Sequence, residues 1–309
     1  MALWSPEHVL RAEDNLSKVF NDDFQNAREN TWHKDVCAER TGLGINEDLQ
    51  MLQSSLTIEK LPNGTMVYAD LKSIGHRLEH EDWGVGFKIT RAQFHFDQFG
   101  KASEAAAQLG DLAALHPQVM TLQLIKDGAT KGSYDKVPFW SADHPVNGVD
   151  NSNGVFSNNN TGSTLSPETF AVRVAAMESR VMINGISRNL RVTHLLHSPE
   201  LKKTALEVTG AKFLGAASGG TNDNVLSSYG VKPLNVPGLA PKEWILVAQT
   251  SGPMGRPFIY SRAIDFGLNS YDGVTQAELN RLNELEYQLR GLVAAQYSHP
   301  YLVDRNVGA

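Results

Sequence analysis

One long helix signal constrains this fold more than any other feature of the sequence. Residues 97–126, DQFGKASEAAAQLGDLAALHPQVMTLQLIK, are rich in Ala, Leu and Gln, and Gly128 follows them. Ala and unbranched residues favour helix, and glycine marks helix ends. We therefore predict a helix of about 30 residues, spanning about 45 Å at ~1.5 Å per residue. Pro117 should kink it, because proline lacks the N–H that bonds one turn back. Such a helix favours an extended, flat molecule.

Residues 46–95 change to a strand-like pattern. The run SSLTIEKLPNGTMVYADL alternates loosely around Pro62-Asn63-Gly64, which has the chemistry of a hairpin turn. A second predicted strand is WGVGFKITRAQFHF, residues 83–96, and the polar stretch between the two runs carries few apolar residues. An isolated hairpin is only marginally stable in water. We therefore expect this hairpin to lie on another surface, for which a neighbouring subunit is a candidate.

Residues 1–45 leave two interpretations open. Leu16, Val19, Phe20 and Phe24 form one helical stripe, which predicts a short amphipathic helix. The polar, mixed-charge segment is equally consistent with an extended arm that docks on a neighbour.

The second half mixes helices and strands. Ser166 and Pro167 predict a capped helix over 166–182. Strands are predicted at 192–196 and 244–248, a helix from Ser198-Pro199, and a pair of strands within RPFIYSRAIDFGLNS. The leucines of 275–296 follow a helix-like period (Leu279, Leu282, Leu285, Leu289, Leu292). Because no regular βαβ repeat is present, the predicted class is α+β.

The segment 147–163 is a predicted loop, since 12 of its 17 residues are Asn, Gly or Ser. Such residues bury little surface, so one expectation is a surface or axis-facing loop that tolerates insertion near Asn159. The alternative is a loop pinned against the Phe139-Trp140 turn by Val155 and Phe156.

Composition narrows the function classes. The chain has 309 residues, 41% hydrophobic and 20% charged, and a net charge of −6. These values are typical of a globular protein and argue against a chain-wide nucleic-acid binder, which needs clustered Lys and Arg. Its start lacks the pattern of a secretory signal, and no apolar run approaches the ~20 residues that span a bilayer. A single cysteine, Cys37, excludes an intramolecular disulfide framework. The sequence predicts a soluble protein.

Candidate chemical groups are few and isolated. There is no phosphate-binding GxxxxGK[ST] or GxGxxG motif and no GxSxG elbow. The candidates for catalysis or metal binding are four pairs: Cys37 and His33, His76 and His80, His194 and His197, and Asp143 and His144. His76 and His80 stand four residues apart, which on a helix would face one metal, but they lack the HExxH pattern and lie in a polar hairpin. Structural roles are therefore favoured for all four pairs.

A stacking platform for single-stranded nucleic acid is the last such candidate. Phe87, Phe94, Phe96 and Phe99 occur near Lys88 and Arg91. A sheet face meeting a helix explains this spacing more simply. We therefore predict no catalytic, cofactor-binding or metal-binding residue, and no enzyme.

Several strings in a fixed order carry a family resemblance. They are LAALHPQVMTLQLIKDG, then SYDKVPFWSADHPVNG with its Tyr134-Asp135 turn, Phe139-Trp140 pair and Asp143-His144-Pro145, then THLLHSPELKKTALEV and TNDNVLSSYGVKPLNVPGLAPKEWILVA. Over roughly residues 80–270 the chain resembles the major head subunits of Mu-like bacteriophages.

The resemblance implies the Hong Kong 97-type fold of tailed-phage capsids. On this basis we expect an N-terminal arm (1–45), an extended hairpin or E-loop (46–95), a peripheral domain with a long spine helix and loop (96–165), an axial domain (166–255), and returning peripheral strands with the C-terminal segment (256–309).

The function implied by the resemblance is assembly. A major capsid protein forms hexamers and pentamers that tile an icosahedral shell around double-stranded DNA, in a virion assembled in the host bacterial cytoplasm. The partners implied are other copies of the chain, portal and scaffolding proteins, a decoration protein, and DNA bound weakly and without sequence reading; no membrane is expected. Two alternatives remain: an encapsulin-like compartment, and a soluble enzyme of unidentified type.

Overall fold

Six α-helices organise the chain in the computed structural model. The structure describes residues 5–52, 73–95, 99–182, 185–210, 213–215, 221–250, 252, 254–269, 275, 281 and 284–308. Among these residues the helices are α1 (Pro6–Glu29), α2 (His33–Val36), α3 (Arg91–His95), α4 (Phe99–Asp127), α5 (Pro167–Glu178) and α6 (Lys202–Gly210). None of them combines the length and apolar character needed to cross a bilayer.

Fifteen strands occur in the same residues. They are β1 (Cys37–Thr41), β2 (Asn46–Leu52), β3 (Ser73–Glu79), β4 (Glu81–Thr90), β5 (His144–Pro145), β6 (Val155–Phe156), β7 (Asn159–Thr161), β8 (Arg191–His197), β9 (Phe213–Gly215), β10 (Thr221–Asp223), β11 (Lys232–Asn235), β12 (Glu243–Gln249), β13 (Phe258–Asn269), β14 (Glu284–Tyr297) and β15 (Val303–Val307).

The long helix predicted from the sequence is α4, with Pro117 inside it. Its C-terminal carbonyls have side-chain donors, since Trp140 Nε1 donates to the carbonyl of Ile125 at 2.7 Å and the Tyr297 hydroxyl donates to that of Leu124 at 2.8 Å. These bonds satisfy groups that a helix end leaves free. The indole of Trp140 also closes over Gly128, where an added Cβ would lie 2.6 Å from the ring.

Helix α1 packs along α4. The N-terminal segment therefore forms the amphipathic helix that was one of its two interpretations, and not an extended arm. The stripe predicted from the sequence is buried in the core at Leu16, Phe20 and Phe24. The two helices approach closely at Gly110, where an added Cβ would lie 2.7 Å from the carbonyl oxygen of Phe20. Glycine at this position is what permits the crossing.

A four-stranded sheet in the order β1-β13-β14-β4 covers these helices. Here the prediction of a helix over 275–296 is wrong for the described residues from 284 onward. They form β14, in which Leu285, Tyr287, Leu289 and Val293 are buried at alternate positions. Leu279 and Leu282 lie outside the described residues. The segment RPFIYSRAIDFGLNS likewise forms one long strand, β13, instead of a pair.

A second, five-stranded sheet has the order β11-β8-β12-β15-β7. Its central strand β12 is buried on both faces. Ile245 and Val247 join the core with α1 and α4, whereas Trp244 and Leu246 join a separate core. That separate core also contains residues of α5 and α6. This sheet includes β7 and β15 as well as strands between 191 and 249; the domain boundaries stay a prediction.

The hairpin that the structure describes comprises β2 and β3, paired from Asn46–Glu79 to Leu52–Ser73. Strand β3 lies in the polar stretch for which no strand was predicted. The predicted turn at Pro62-Asn63-Gly64 lies outside the described residues. The prediction of one strand over 83–96 is wrong at its end, because β4 stops at Thr90 and α3 follows. Strand β4 pairs with β14 and so belongs to the four-stranded sheet.

Helix α5 begins as predicted, with a reciprocal capping box between Ser166 and Thr169. It ends at Glu178, four residues before the predicted end. The strands predicted at 192–196 and 244–248 are confirmed as β8 and β12.

Candidate assembly surface

Cys37 and His33 have separate partners and form no nucleophilic pair. The Sγ of Cys37 is buried 3.1 Å from the hydroxyl of Thr121, and burial raises the pKa of this thiol to about 12. His33 Nε2 lies 3.2 Å from a carboxylate oxygen of Glu39. A thiol with so high a pKa is not a nucleophile near neutral pH.

His80 and His197, from the two histidine pairs, each contact a group outside their pair. His80 Nε2 meets the hydroxyl of Ser261 at 2.9 Å, and His197 Nδ1 meets the carbonyl of Ser198 at 2.9 Å. Burial lowers the pKa of His76, His194 and His197. In the parts of the chain that the structure describes, no group of three or more His, Cys, Asp or Glu residues could hold a metal ion.

His144 is the centre of a buried cluster. Its Nδ1 lies 2.7 Å from the carboxylate of Asp135, not the adjacent Asp143, and its Nε2 lies 3.0 Å from the carbonyl of Phe139. Both ring nitrogens therefore face acceptors. Residues of the Tyr-Asp turn, the aromatic pair and the Asp-His-Pro string thus meet around one imidazole. Proximity in the sequence had suggested Asp143 as the partner of His144, whereas the partner in the structure is Asp135.

The Asn-rich segment 147–163 is pinned, so the expectation of a free loop is wrong at its C-terminal half. Phe156 stacks on His144 with ring centres 5.2 Å apart. Asn158 is fully buried and donates to the carbonyls of Phe139 (2.7 Å) and Pro300 (3.2 Å). Asn159 begins β7, which pairs with β15. The longest exposed stretch is 149–155.

A buried aspartate that the sequence reasoning missed organises the neighbouring region. Asp304 of β15 is fully buried and accepts two hydrogen bonds from Arg173, at 2.8 and 2.9 Å, and one from Arg180 at 2.9 Å. Arg180 also donates to the carbonyls of Ser157, Tyr301 and Val303. Asp304 stands between Val303 and Arg305, so the local pattern did not mark its carboxylate as buried. Once buried, a charged residue is almost always paired.

The proposed stacking platform has only part of its residues described. Phe87 stacks on Tyr287 at 5.1 Å, within the β4–β14 pair, and Lys88 forms ion pairs with Glu284 and Glu286. Phe87 and Lys88 therefore each contact side chains of the neighbouring strand β14. The side chains of Phe94, Phe96 and Phe99 lie outside the described residues.

An apolar stripe faces solvent on α4. Leu112, Leu115 and Val119 are 56%, 44% and 62% exposed, at the spacing that places side chains on one helix face. One turn along, His116 meets the indole of Trp83 edge-on at 4.9 Å, and Trp83 is itself 39% exposed. We call Leu112, Leu115, Val119 and Trp83 the α4 stripe.

The hairpin lies on the opposite face of the four-stranded sheet from α4. Leu49 and Leu78 are buried against Ile259 and Ala294. Phe258 and Tyr260, the neighbours of Ile259 in β13, belong instead to the core with α1 and α4. Successive residues of a strand point to opposite faces. The base of the hairpin is thus buried on its own chain.

Comparison with known proteins gives a family. The sequence model described as "Mu-like prophage major head subunit gpT" matches residues 13–172, just over half of the chain. It begins well before the string LAALHPQVM and ends before the later strings that also suggested this family. The major capsid protein of Escherichia phage Mu is 26% identical over 108 residues, which is 35% of each chain. The match therefore spans about a third of that relative's length.

Solved structures share the fold. The procapsid of bacteriophage JBD30 has a TM-score of 0.58 at 13% identity, covering 99% of this chain and 76% of the other. The capsid of cyanophage P-SCSP1u has a TM-score of 0.54 at 12% identity, covering 90% and 88%. A virus-like particle from Pyrococcus furiosus has a TM-score of 0.50 at 10% identity, covering 95% and 98%.

These structures confirm the predicted tailed-phage capsid fold, and the family match confirms the predicted resemblance. The chain belongs to the family of Mu-like prophage major head subunits.

Proposed function

We propose that this chain is the major capsid protein of a Mu-like phage or prophage, building hexamers and pentamers that tile an icosahedral shell around double-stranded DNA. The observation that carries the proposal is the family match over residues 13–172, joined to the fold shared with phage capsids and a procapsid. The protein is then a structural subunit of the virion, and its working parts are surfaces shared between copies.

The family match favours a phage head over the alternatives. The Pyrococcus furiosus particle shares only the fold, at 10% identity, so it does not favour an encapsulin-like compartment. An enzyme would need a pocket with convergent catalytic groups. Cys37 and His33, a candidate catalytic pair, each have a separate structural partner.

The finer partners follow from the function proposed. Portal and scaffolding proteins should bind the assembling shell, and a decoration protein is supported by analogy with the JBD30 capsid, which is decorated with minor capsid protein trimers. Double-stranded DNA should be bound weakly and without sequence reading. A net charge of −6 supplies no broad cationic lining, so few phosphates are neutralised and the dependence of affinity on salt is shallow.

Negative-stain microscopy and analytical ultracentrifugation of the purified full chain test the proposal. We expect closed shells or ring-shaped capsomers that grow with protein concentration. A monomer that persists at all concentrations and salts would refute the proposed function. Shells that contain an enzyme cargo in place of DNA when isolated from cells would favour the compartment alternative.

A further inference from the structure

Strand β4 forms the longest open edge of the two larger sheets. The four-stranded sheet ends on one side in β4, which has 10 residues, and on the other in β1, which has five. The edge strands of the five-stranded sheet, β11 and β7, have four and three. Among the residues that the structure describes, no strand pairs with the outer side of β4. An open edge carries unpaired N–H and C=O groups that can bind a further strand.

This edge lacks several features by which proteins block strand addition. Short length, prolines and bulges are common protections of an edge. The sequence of β4, EDWGVGFKIT, contains no proline, and its pairing with β14 runs from Glu81 to Thr90 without a bulge. Residues 81–86 are all exposed, and Val85 is 51% exposed. The backbone of β4 is therefore accessible to a partner strand.

The sequence of β4 is complementary to itself when a second copy of the strand lies antiparallel to it. With Val85 at the centre, each residue meets one of matching or opposite character: Asp82 meets Lys88, Trp83 meets Phe87, Gly84 meets Gly86, and Val85 meets itself. The members of each pair are an even number of residues apart, so the backbone groups that face away from β14 meet each other. Opposite charges and aromatic side chains placed directly across a strand pair stabilise it.

Other registers lose this match. Centring the pair on Gly84 or Gly86 places Asp82 opposite Gly86 or Thr90, and centring it on Asp82 or Lys88 opposes like charges. The side chains of Asp82 and Lys88 are 54% and 55% exposed, so both can reach a second strand. Charges that only blocked the edge would not need opposite signs at equal distances from its centre. One register is thus favoured over its neighbours.

We propose that β4 pairs with β4 of a second copy of the chain, antiparallel, about a two-fold axis at Val85. This inference rests on the proposed function, in which copies of the chain associate. A surface that binds itself joins two copies only, whereas contacts between unlike surfaces build rings. The β4 contact therefore joins copies that belong to different capsomers, and it continues the four-stranded sheet of one copy into that of the other.

Charge reversal in the full chain tests the pairing. Asp82→Lys and Lys88→Asp each place like charges opposite one another, whereas the double variant restores opposite charges. The double variant nevertheless keeps the disturbances within the chain, because Asp82 pairs there with Arg290 and Lys88 with Glu284 and Glu286. Recovery in the double variant therefore reports the contact between copies and not the stability of one copy.

Sedimentation velocity, negative-stain microscopy and circular dichroism are the measurements. We expect each single variant to keep its fold and its rings, but the rings to associate at least tenfold more weakly, so that shells are lost. The double variant should form shells like the wild type. The control is Glu200→Lys, a charge reversal at an exposed position outside both sheets, which should also form shells.

A cross-link tests the register directly. Val85→Cys places two thiols opposite each other at the axis, so oxidised glutathione should join two copies through a disulfide. Thr90→Cys, exposed on the same strand, is the matched control. Its two copies would stand about 33 Å apart, ten positions at ~3.3 Å per residue, and should not join. The native Cys37 is buried.

Three results would overturn the proposal. Normal shells from either single variant would remove the contact while the proposed function stands. A folded double variant without shells would show that charge pairing at this edge is not what the single variants lost. Equal cross-linking of Val85→Cys and Thr90→Cys would exclude the register. A wild type that never assembles would instead refute the proposed function itself, so the two failures are distinguishable.

Discussion

Two glycines of α4 allow one substitution to be compared at two contrasting positions. At Gly100 an added Cβ meets nothing within 4 Å among the residues that the structure describes. At Gly110 it would lie 2.7 Å from the carbonyl oxygen of Phe20, 3.0 Å from the amide nitrogen of Phe24 and 3.3 Å from the Cβ of Asp23. Two of these three atoms belong to the backbone of α1, so no side-chain rotation relieves the clash.

The expected free energies follow from these distances. Gly→Ala within a helix stabilises by roughly 0.5–1 kcal/mol, because glycine loses more backbone entropy on folding. Gly100 is the second residue of α4, so Gly100→Ala should be stabilised by at most this gain. Overpacking a core costs typically about 1–3 kcal/mol, so Gly110→Ala should lower the free energy of unfolding by up to about 2.5 kcal/mol after the same gain is subtracted. The same substitution in the same helix is thus expected to raise the free energy of unfolding at Gly100 and to lower it at Gly110.

Urea unfolding of the two variants, under conditions where the chain is monomeric, measures the difference directly. Circular dichroism should give parallel transitions, with the midpoint of Gly100→Ala above and that of Gly110→Ala below the wild type. Equal stabilisation of both variants would show that α1 and α4 do not cross at Gly110, and the packing argument would be wrong.

Three further outcomes are expected. Asp304→Asn should lower the free energy of unfolding by about 3–5 kcal/mol, because it leaves the buried guanidinium of Arg180 without its counter-charge. Asp143→Asn, at an exposed position, is the control. A loss below about 1 kcal/mol for Asp304→Asn would contradict the role given to this ion pair. The pKa of Glu39 is lowered to about 2, first by its hydrogen bond with His33 and then by Arg262 and Arg28. Its contribution is therefore present above its ordinary value near 4.5 and is lost as the pH falls toward 2, so the stability gap between wild type and Glu39→Gln should close over that window in acid titrations of urea unfolding. A short tag inserted after Ser152 should leave folding intact by circular dichroism, whereas the same tag after Asn159 should disrupt it; equal tolerance would mean that β7 is dispensable.

The sequence predicted α4 well but β14 poorly, for physical reasons. The alanines of α4 have the strongest intrinsic helix propensity, and that preference is local. In β14, the spacing of Leu285, Leu289 and Leu292 fits a helical turn as well as a strand. What decides is burial at alternate positions, including Tyr287 and Val293, and this depends on pairing with β13 and β4. Strand preference is set by such tertiary context.

The features of the candidate surface also divide into those that local sequence pattern predicts and those that depend on tertiary structure. The long helix and the change to strand structure after residue 46 could be predicted from local pattern, whereas β3 could not, because its stretch carries few apolar residues. The exposure of Leu112, Leu115 and Val119 could not, because a helical stripe is usually buried. Nor could Asp135 be chosen over Asp143 as the partner of His144, since the turn that brings it there is a tertiary feature.

The five-stranded sheet also sets the order in which this protein can fold. Its strand β15 lies between β12 and β7, and its parallel partner Asn159–Thr161 stands about 145 residues earlier in the chain. During synthesis, Arg173 and Arg180 therefore emerge long before Asp304, and β12 has an open edge until β15 arrives. Pairing over such a separation is slow, and open edges invite aggregation. Chains whose synthesis stops before Val303 therefore cannot complete the sheet.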